Sequence, residues 1–241
     1  MSIPSLIITQ KISSEIIVEM AWRSFGANPS SVQEILLQSK SEQTFSGLLA
    51  QHMQAAEEFN LGRVDDHTSG MVLLEYKGVD YETVSGRKVK VSRNFHDIVL
   101  VNHDGEIEVI IENKFWYHFD GSKGVKNQKP EAGIAEQLKE DIFKIRRSLG
   151  SGLPAKRGFV LINIVTPSSP DLLPKSYFGH HKKLWTRSNF DLVSDREKGL
   201  AGVQSVLDIF KENGLINETM CSSPFIPGSG FMDIICAEVK L

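Results

Sequence analysis

Cysteine is scarce in this chain, and the signals for export or membrane insertion are missing. The 241 residues include two cysteines, Cys221 and Cys236, in no Cys-x-x-Cys arrangement. This argues against a structural zinc site and favours reduced core thiols over a disulfide. Residues 1–10 lack the basic segment and long apolar segment of a signal peptide, and no apolar run reaches the roughly 18 residues of a membrane span. We therefore expect a cytoplasmic protein that does not enter a membrane.

A strong net charge is also missing. The formal net charge is −3, with 41% apolar and 24% charged residues, which is an ordinary globular balance and argues against disorder. Any binding of nucleic acid must therefore rely on local basic clusters. The chain contains no P-loop, no dinucleotide-binding glycine pattern and no Gly-x-Ser-x-Gly. The sequence gives no sign of a nucleotide cofactor or a serine-hydrolase nucleophile.

The hydrophobic pattern predicts alternating helices and strands within one domain. Helices are predicted over residues 14–25, 42–59, 131–149 and 195–213. Strands are predicted from Met71, with an interruption at Gly78 or Ser85-Gly86, and over residues 95–101, 106–117, 158–165 and 231–239. This order indicates an α/β sheet packed by helices. We expect a single domain over residues 1–241, with a core at about 40–165 and a C-terminal elaboration over 166–241.

The segment from Phe95 to Tyr117 holds the most informative constellation. Asp104-Gly105 lies between two apolar runs and is a strong signal for a two-residue hairpin turn, because both positions tolerate positive φ. Such a turn would place Asp97 directly opposite Glu112, with Cβ atoms about 4.5–5.5 Å apart. Lys114 follows two residues later and would project from the same face of the sheet.

Two opposed carboxylates would repel each other in a purely structural hairpin. A divalent cation between them removes that repulsion, and hard oxygen ligands at this spacing suit Mg²⁺, with Mn²⁺ as a substitute. Lys114 would then orient a water or stabilise charge that builds up on a phosphate. The alternative is a charged, solvent-facing hairpin without a functional role, which is what an isolated Glu-x-Lys triplet usually indicates. The turn chemistry favours the functional interpretation.

Two further Glu-x-Lys triplets lack comparable turn chemistry. Glu75-Tyr76-Lys77 follows Asp65-Asp66, and Glu238-Val239-Lys240 follows Asp233. The first would need a turn near Gly70-Met71, and the second would need one at Ile235-Cys236, inside an apolar strand. Neither position has the turn chemistry of Asp104-Gly105, so neither triplet is predicted to form a site. The histidines lack metal-ligand spacing, and His96 is predicted to be an ordinary strand residue.

These residues resemble the PD-(D/E)xK, or restriction-endonuclease-like, nuclease superfamily. The resemblance lies in Phe95–Val101 (FHDIVLV), in Ile110–Lys114 (IIENK), and in a later helix carrying Gln137-Leu138. His96 stands where this family usually has proline. The resemblance covers about residues 40–165. It implies a restriction-endonuclease-like αβββαβ core, a central mixed β-sheet flanked by helices, with N- and C-terminal additions.

The resemblance also implies roles for individual residues. Asp97 and Glu112 would bind Mg²⁺, with the main-chain carbonyl of Asn113 as a further ligand. Lys114 would assist the attacking water. Gln137 would lie near the active site, where it contacts phosphate or supports Lys114; the alternative is an ordinary solvated glutamine.

Nucleases of this family often carry a further acid on the first core helix, for which Glu42, Glu57 and Glu58 are candidates. Helical periodicity places Glu42 nearest the apolar stripe and Glu58 almost opposite it. Glu42 is therefore predicted to face the sheet and complete the site. An N-terminal acid favoured by the helix dipole explains Glu42 equally well.

Basic residues that could hold a nucleic-acid backbone form several clusters. The predicted nucleic-acid contacts are Lys123, Lys126, Arg93, Lys182 and Lys183. Each cluster taken alone is more often simply a solvated surface.

The sequence thus predicts a Mg²⁺-dependent deoxyribonuclease that hydrolyses DNA phosphodiester bonds, of a restriction or phage-defence type. DNA is the expected partner, and a homodimer is compatible with cutting both strands. Alternatives are a DNA repair or recombination nuclease, a non-catalytic nucleic-acid-binding protein with the same fold, and an α/β enzyme acting on a small molecule.

Overall fold

The computed structural model describes residues 12–26, 41–61, 71–84, 87–101, 106–118, 131–150, 155–168, 191–212, 214–226 and 230–240. The helices in these ranges are α1 (Ser14–Gly26), α2 (Ser41–Leu61), α3 (Glu131–Gly150) and α4 (Leu192–Lys211). The strands are β1 (Met71–Val84), β2 (Arg87–Val101), β3 (Ile107–Tyr117), β4 (Arg157–Pro167), β5 (Leu215–Ile226) and β6 (Gly230–Val239). None of these helices is long and apolar enough to cross a membrane.

The six strands form one mixed sheet in the order β1-β2-β3-β4-β6-β5. Strands β3 and β4 pair in parallel, and the other neighbours pair antiparallel. A parallel pair needs a crossover connection, and α3 lies in the chain between these two strands. The protein therefore belongs to the α/β class that the sequence pattern predicts, with an open mixed sheet flanked by helices.

Apolar side chains cover both faces of the sheet. Ile111 and Leu161 belong to the core cluster that includes α1 and α2. Their neighbours Ile110 and Ile162 belong to the cluster that includes α3 and α4. Successive strand residues point to opposite faces, so a strand buried on both sides must be apolar at nearly every position. This explains the almost unbroken apolar runs of β3 and β4.

The structure corrects two strand predictions and one helix start. Strand β1 continues through Gly78 and ends at Val84, next to the other predicted interruption at Ser85-Gly86, and β2 begins at Arg87 rather than at Phe95. The long β1–β2 pairing accounts for both differences, because it stabilises polar segments that lack an apolar alternation of their own. Helix α4 begins at Leu192, where Asp191 Oδ1 accepts a hydrogen bond of 2.7 Å from Ser194 N as an N-terminal cap.

Strand β5 was not predicted from the sequence. Its residues, Leu215–Ile226, mix polar groups with Pro224 and show no clear alternation. The strand forms because it pairs with β6, which itself pairs with β4. The C-terminal segment thus extends the central sheet.

The two cysteines are free thiols, as predicted. Cys236 is fully buried on β6, and burial raises the pKa of its thiol. It therefore packs as an apolar core residue.

Candidate active site

Strands β2 and β3 pair in the predicted register next to the candidate site. Ile98 lies opposite Ile111, and this pair ends the hydrogen-bonded ladder. The predicted register is therefore confirmed for the residues next to the site. The ladder ends before Asp97 and Glu112, so their predicted pairing stays a prediction, and the contacts beyond the ladder join His96 to Glu112 and Asp97 to Asn113.

The other end of the ladder differs from the simplest two-residue hairpin. The register shifts by one between Leu100 and Val101, so that Val101 lies opposite Ile107. The predicted turn at Asp104-Gly105 lies outside the described residues. The shift lies between the predicted turn and the site, but the pairs from Leu100–Val109 to Ile98–Ile111 have the register that counting predicts.

The site lies where β3 separates from β2. Strand β3 stays paired with β4 as far as Tyr117 and Val165, whereas its ladder with β2 ends at Ile111. Glu112, Asn113 and Lys114 therefore lie along an opening between β2 and β3.

Asp97 bridges this opening. Its Oδ2 atom accepts a hydrogen bond of 2.7 Å from the main-chain N of Asn113. The side chain is half-buried. The carboxylate of Asp97 is thus fixed against the strand that carries Glu112 and Lys114.

Glu112 is completely buried, and both of its carboxylate oxygens have partners. Oε1 lies 2.5 Å from His96 Nδ1, and Oε2 lies 2.5 Å from Lys144 Nζ. Burial raises the pKa of Glu112 to about 8, with a further contribution from the negative charge of Asp97 and an opposing one from Lys144. The buried carboxylate is only partly neutralised by its surroundings.

His96 is a partner of the site rather than the ordinary strand residue predicted from sequence. Its second ring nitrogen, Nε2, lies 2.8 Å from Ser148 Oγ on α3. Both side chains are 1% exposed. The imidazole therefore links Glu112 to the helix that covers this face of the sheet.

Lys114 lies between two further carboxylates. Its Nζ atom is 3.3 Å from Glu42 Oε1 and 3.3 Å from Asp141 Oδ2. Burial by itself would lower the pKa of Lys114, but Asp141, Glu42 and Asp97 together raise it. The lysine is therefore held charged beside Asp97 and Glu112.

Glu42 reaches the site from the first turn of α2, as its helical position predicted. Besides its ion pair with Lys114, its Oε2 accepts a hydrogen bond of 3.4 Å from the main-chain N of Phe115. The side chains of the competing candidates, Glu57 and Glu58, lie outside the described residues.

Asp141 and Lys144 were missed by the sequence analysis. Burial raises the pKa of Asp141 to about 7, and the nearby Glu112 adds to this effect while Lys114 opposes it. Both residues belong to a polar stripe on α3 that also includes Gln137 and Ser148. The spacing of this stripe, alternating steps of four and three, was a signal available in the sequence, since it marks one helical face.

Gln137 has a different partner from those predicted. Its Oε1 atom accepts a hydrogen bond of 2.9 Å from Trp116 Nε1. The ion-pair partners that hold Lys114 are Glu42 and Asp141, and Gln137 remains an exposed residue at the end of the polar stripe.

A buried amide network holds the main chain of β3 at the site. Asn113 Nδ2 donates to Ser46 Oγ at 2.9 Å, and Asn113 Oδ1 accepts from Asn163 Nδ2 at 2.6 Å. Asn163 Nδ2 also donates to the carbonyl of Lys114 at 3.2 Å. All three polar side chains are at most 4% exposed, so they fix the Asn113 side chain and the carbonyl of Lys114.

The predicted nucleic-acid contacts stay predictions, because their side chains lie outside the described residues. They are Lys123, Lys126, Lys182, Lys183 and Arg93. Two acids near the C-terminus, Glu238 of the Glu238-Val239-Lys240 triplet and the preceding Asp233, have arginine partners. Glu238 pairs with Arg157 and Asp233 with Arg196.

Acidic side chains outnumber basic ones among the described residues at this opening. The carboxylates of Glu42, Asp97, Glu112 and Asp141 surround the ammonium groups of Lys114 and Lys144. Among the described residues, no three His, Cys, Asp or Glu side chains are grouped closely enough to hold a metal ion. The arrangement instead offers a pair of carboxylates next to two cations.

Comparisons with protein-family models, with curated proteins and with solved structures found no match to this chain.

Proposed function

We propose that this protein is a Mg²⁺-dependent endonuclease that hydrolyses DNA phosphodiester bonds, with a restriction-endonuclease-like PD-(D/E)xK core. The observation that carries the proposal is the convergence of Asp97, Glu112 and Lys114 where β3 separates from β2.

The succession of elements supports the fold named in this proposal. From α2 through β1, β2, β3 and α3 to β4, the chain follows the order αβββαβ. The first three strands are antiparallel, and the fourth is parallel to the third. Glu112 and Lys114 lie on the third strand of this unit, and this position supports the proposal.

The charges at the site fit a divalent cation. Burial raises the pKa of Glu112 to about 8 and that of Asp141 to about 7, so their ionised forms lack sufficient compensating charge. Asp97 and Glu112, with the main-chain carbonyl of Asn113, would hold Mg²⁺ or Mn²⁺ through the oxygen ligands that these ions prefer. When bound, the cation would supply charge stabilisation to the phosphodiester under attack.

Lys114 would act next to that cation. Its ammonium is oriented from one side by Glu42 and from the other by Asp141. An ammonium held in this way would position an attacking water and stabilise the negative charge that develops on the phosphate. The network of Ser46 and Asn163 would keep the main chain of Asn113 in place during this step.

A restriction or phage-defence role is proposed from the family resemblance, and β5, β6 and α4 leave room for target recognition beyond the αβββαβ unit. A non-catalytic nucleic-acid-binding protein is the second candidate. The observation that favours it is the engagement of both Glu112 oxygens by His96 and Lys144.

Incubation of the purified protein with supercoiled plasmid, with Mg²⁺ or with EDTA, tests the proposal. We expect Mg²⁺-dependent cleavage by the wild type and a loss of at least about 100-fold for Asp97→Asn and Lys114→Met. Asp208→Asn is the matched control, because Asp208 lies exposed on α4 and pairs with Lys211.

Parallel incubations with single-stranded DNA and with RNA identify the polymer. Wild-type protein that cleaves none of these substrates with Mg²⁺ or Mn²⁺ would overturn the nuclease proposal. Retained binding of nucleic acid in that case would favour the second candidate.

A further inference from the structure

The two oxygens of Glu112 are held by groups of different character. Oε1 contacts His96, whose ring is itself held by Ser148. Oε2 contacts Lys144 at 2.5 Å. The two contacts therefore come from a strand neighbour and from helix α3.

The contact with His96 is enclosed by the core. The side chains of His96 and Glu112 are each 1% exposed, so a change in this hydrogen bond would require movement of packed groups. The Lys144 side chain is 22% exposed. A lysine has a long flexible stem and a strongly hydrated ammonium, so Lys144 can turn into solvent at low cost.

The Lys144 ammonium is thus a positive charge on Glu112 Oε2, the oxygen whose described partner is the more exposed of the two. Lys114 does not have this position, since its Nζ lies between Glu42 and Asp141. A divalent cation that binds Asp97 and Glu112 Oε2 must share that oxygen with Lys144 or displace the ammonium.

We propose that Lys144 determines the affinity of the cation site, because its ammonium occupies Glu112 Oε2 in the cation-free protein and competes with a divalent cation for that oxygen. This inference rests on the proposed nuclease function, in which Asp97 and Glu112 hold the cation. It extends that function by identifying a residue that sets how much cation is needed to load the site.

Titration of Mn²⁺ into the full chain, followed by calorimetry at a pH above about 8 where the Glu112 carboxyl is ionised, measures this competition. We expect Lys144→Met to bind Mn²⁺ about tenfold more tightly than the wild type, since loss of the competing charge is worth roughly one charge-assisted hydrogen bond. Lys144→Arg, which keeps the positive charge, should stay near the wild-type affinity.

Lys139→Met is the matched control. Lys139 is exposed on the same helix, and its substitution removes the same charge without touching Glu112. It should change the Mn²⁺ affinity by less than about twofold. Thermal unfolding verifies that each variant is folded, and Lys144→Gln replaces Lys144→Met if the latter does not fold.

Glu112→Gln separates failure of this inference from failure of the proposed function. If Glu112→Gln abolishes Mn²⁺ binding but Lys144→Met and Lys144→Gln bind no more tightly than the wild type, the competition is refuted and the cation site stands. An equal gain in Lys139→Met also refutes the competition, because the effect would then be a general one of charge. If neither the wild type nor the Lys144 variants bind Mn²⁺, both proposals fail.

Discussion

Glu112 links the pH dependence of stability to the candidate site. Its pKa is raised from 4.5 to about 8 in the folded protein, mainly by burial. Between these values the folded protein binds more protons than the unfolded chain, so the free energy of unfolding must fall as the pH rises. We predict that cation-free protein loses stability progressively from pH 4.5 to about 8, measured by urea unfolding in EDTA.

Glu112→Gln isolates this effect from other titrating groups. The amide cannot ionise, so the variant should lose less stability than the wild type over the same pH range, by roughly 1 kcal/mol or more. Identical pH profiles for the two proteins would contradict the assignment of the raised pKa to Glu112.

The hydroxyl of Ser148 supports the same carboxylate through His96. Ser148→Ala removes the 2.8 Å hydrogen bond to His96 Nε2 at a fully buried position. We predict a decrease of about 1 kcal/mol in the free energy of unfolding, because the polar ring atom has lost a buried partner. Urea denaturation measures the change.

Ser205→Ala provides the control for this serine. Ser205 is exposed, and its hydroxyl donates to the carbonyl of Ala201 in its own helix. Its replacement should alter stability by less than about 0.5 kcal/mol. Equal effects at the two serines would argue that His96 does not depend on Ser148.

At the scale of elements, the packing of α4 against the end of β3 depends on a glycine. A Cβ atom at Gly199 would lie 2.6 Å from the carbonyl oxygen of His118 and 2.8 Å from its Cα. Main-chain atoms cannot yield as a flexible side chain does. We therefore predict that Gly199→Ala destabilises the protein by at least about 1 kcal/mol in urea unfolding.

Gly133→Ala should change the free energy of unfolding in the opposite direction. A Cβ atom at Gly133, in the first turn of α3, would meet nothing within 4 Å. Alanine favours a helix over glycine by about 0.5–1 kcal/mol, so this variant should be slightly more stable than the wild type. A stabilising effect of Gly199→Ala would contradict the close packing described here.

Local patterns in the sequence predicted the elements that carry Asp97, Glu112, Lys114 and Glu42. An alternating or helical pattern fixes which face a residue occupies, and counting gives the register of Ile98–Leu100, although the ladder shifts by one at Val101. The partners on α3 were not predicted, because their contacts with β3 depend on how the helix lies on the sheet. Strand β5 was missed for a related reason, since its pairing with β6 compensates for its polar composition.

At the scale of the whole molecule, a net charge of −3 means that binding to DNA must come from local lysines. The proposed function predicts a steep loss of DNA affinity with salt. In a plot of the logarithm of the association constant against the logarithm of the salt concentration, each phosphate contact contributes about 0.9 to the slope. Lys123→Gln combined with Lys126→Gln should reduce that slope by about 2, measured by fluorescence anisotropy in EDTA.

The control for this double variant keeps the same change in net charge. Lys139→Gln combined with Lys198→Gln alters exposed lysines on α3 and α4 and should leave the slope unchanged. Equal slopes for both double variants would remove Lys123 and Lys126 from the predicted nucleic-acid contacts.

In the proposed function, Asp97 and Glu112 hold one divalent cation between them. Anomalous diffraction data from a crystal of the protein soaked in Mn²⁺ would locate this cation. We expect an anomalous peak bound by both carboxylates, with the ammonium of Lys144 moved away from Glu112 Oε2. A well-ordered site with no peak between the two acids, and with Lys144 still paired to Glu112, would contradict it.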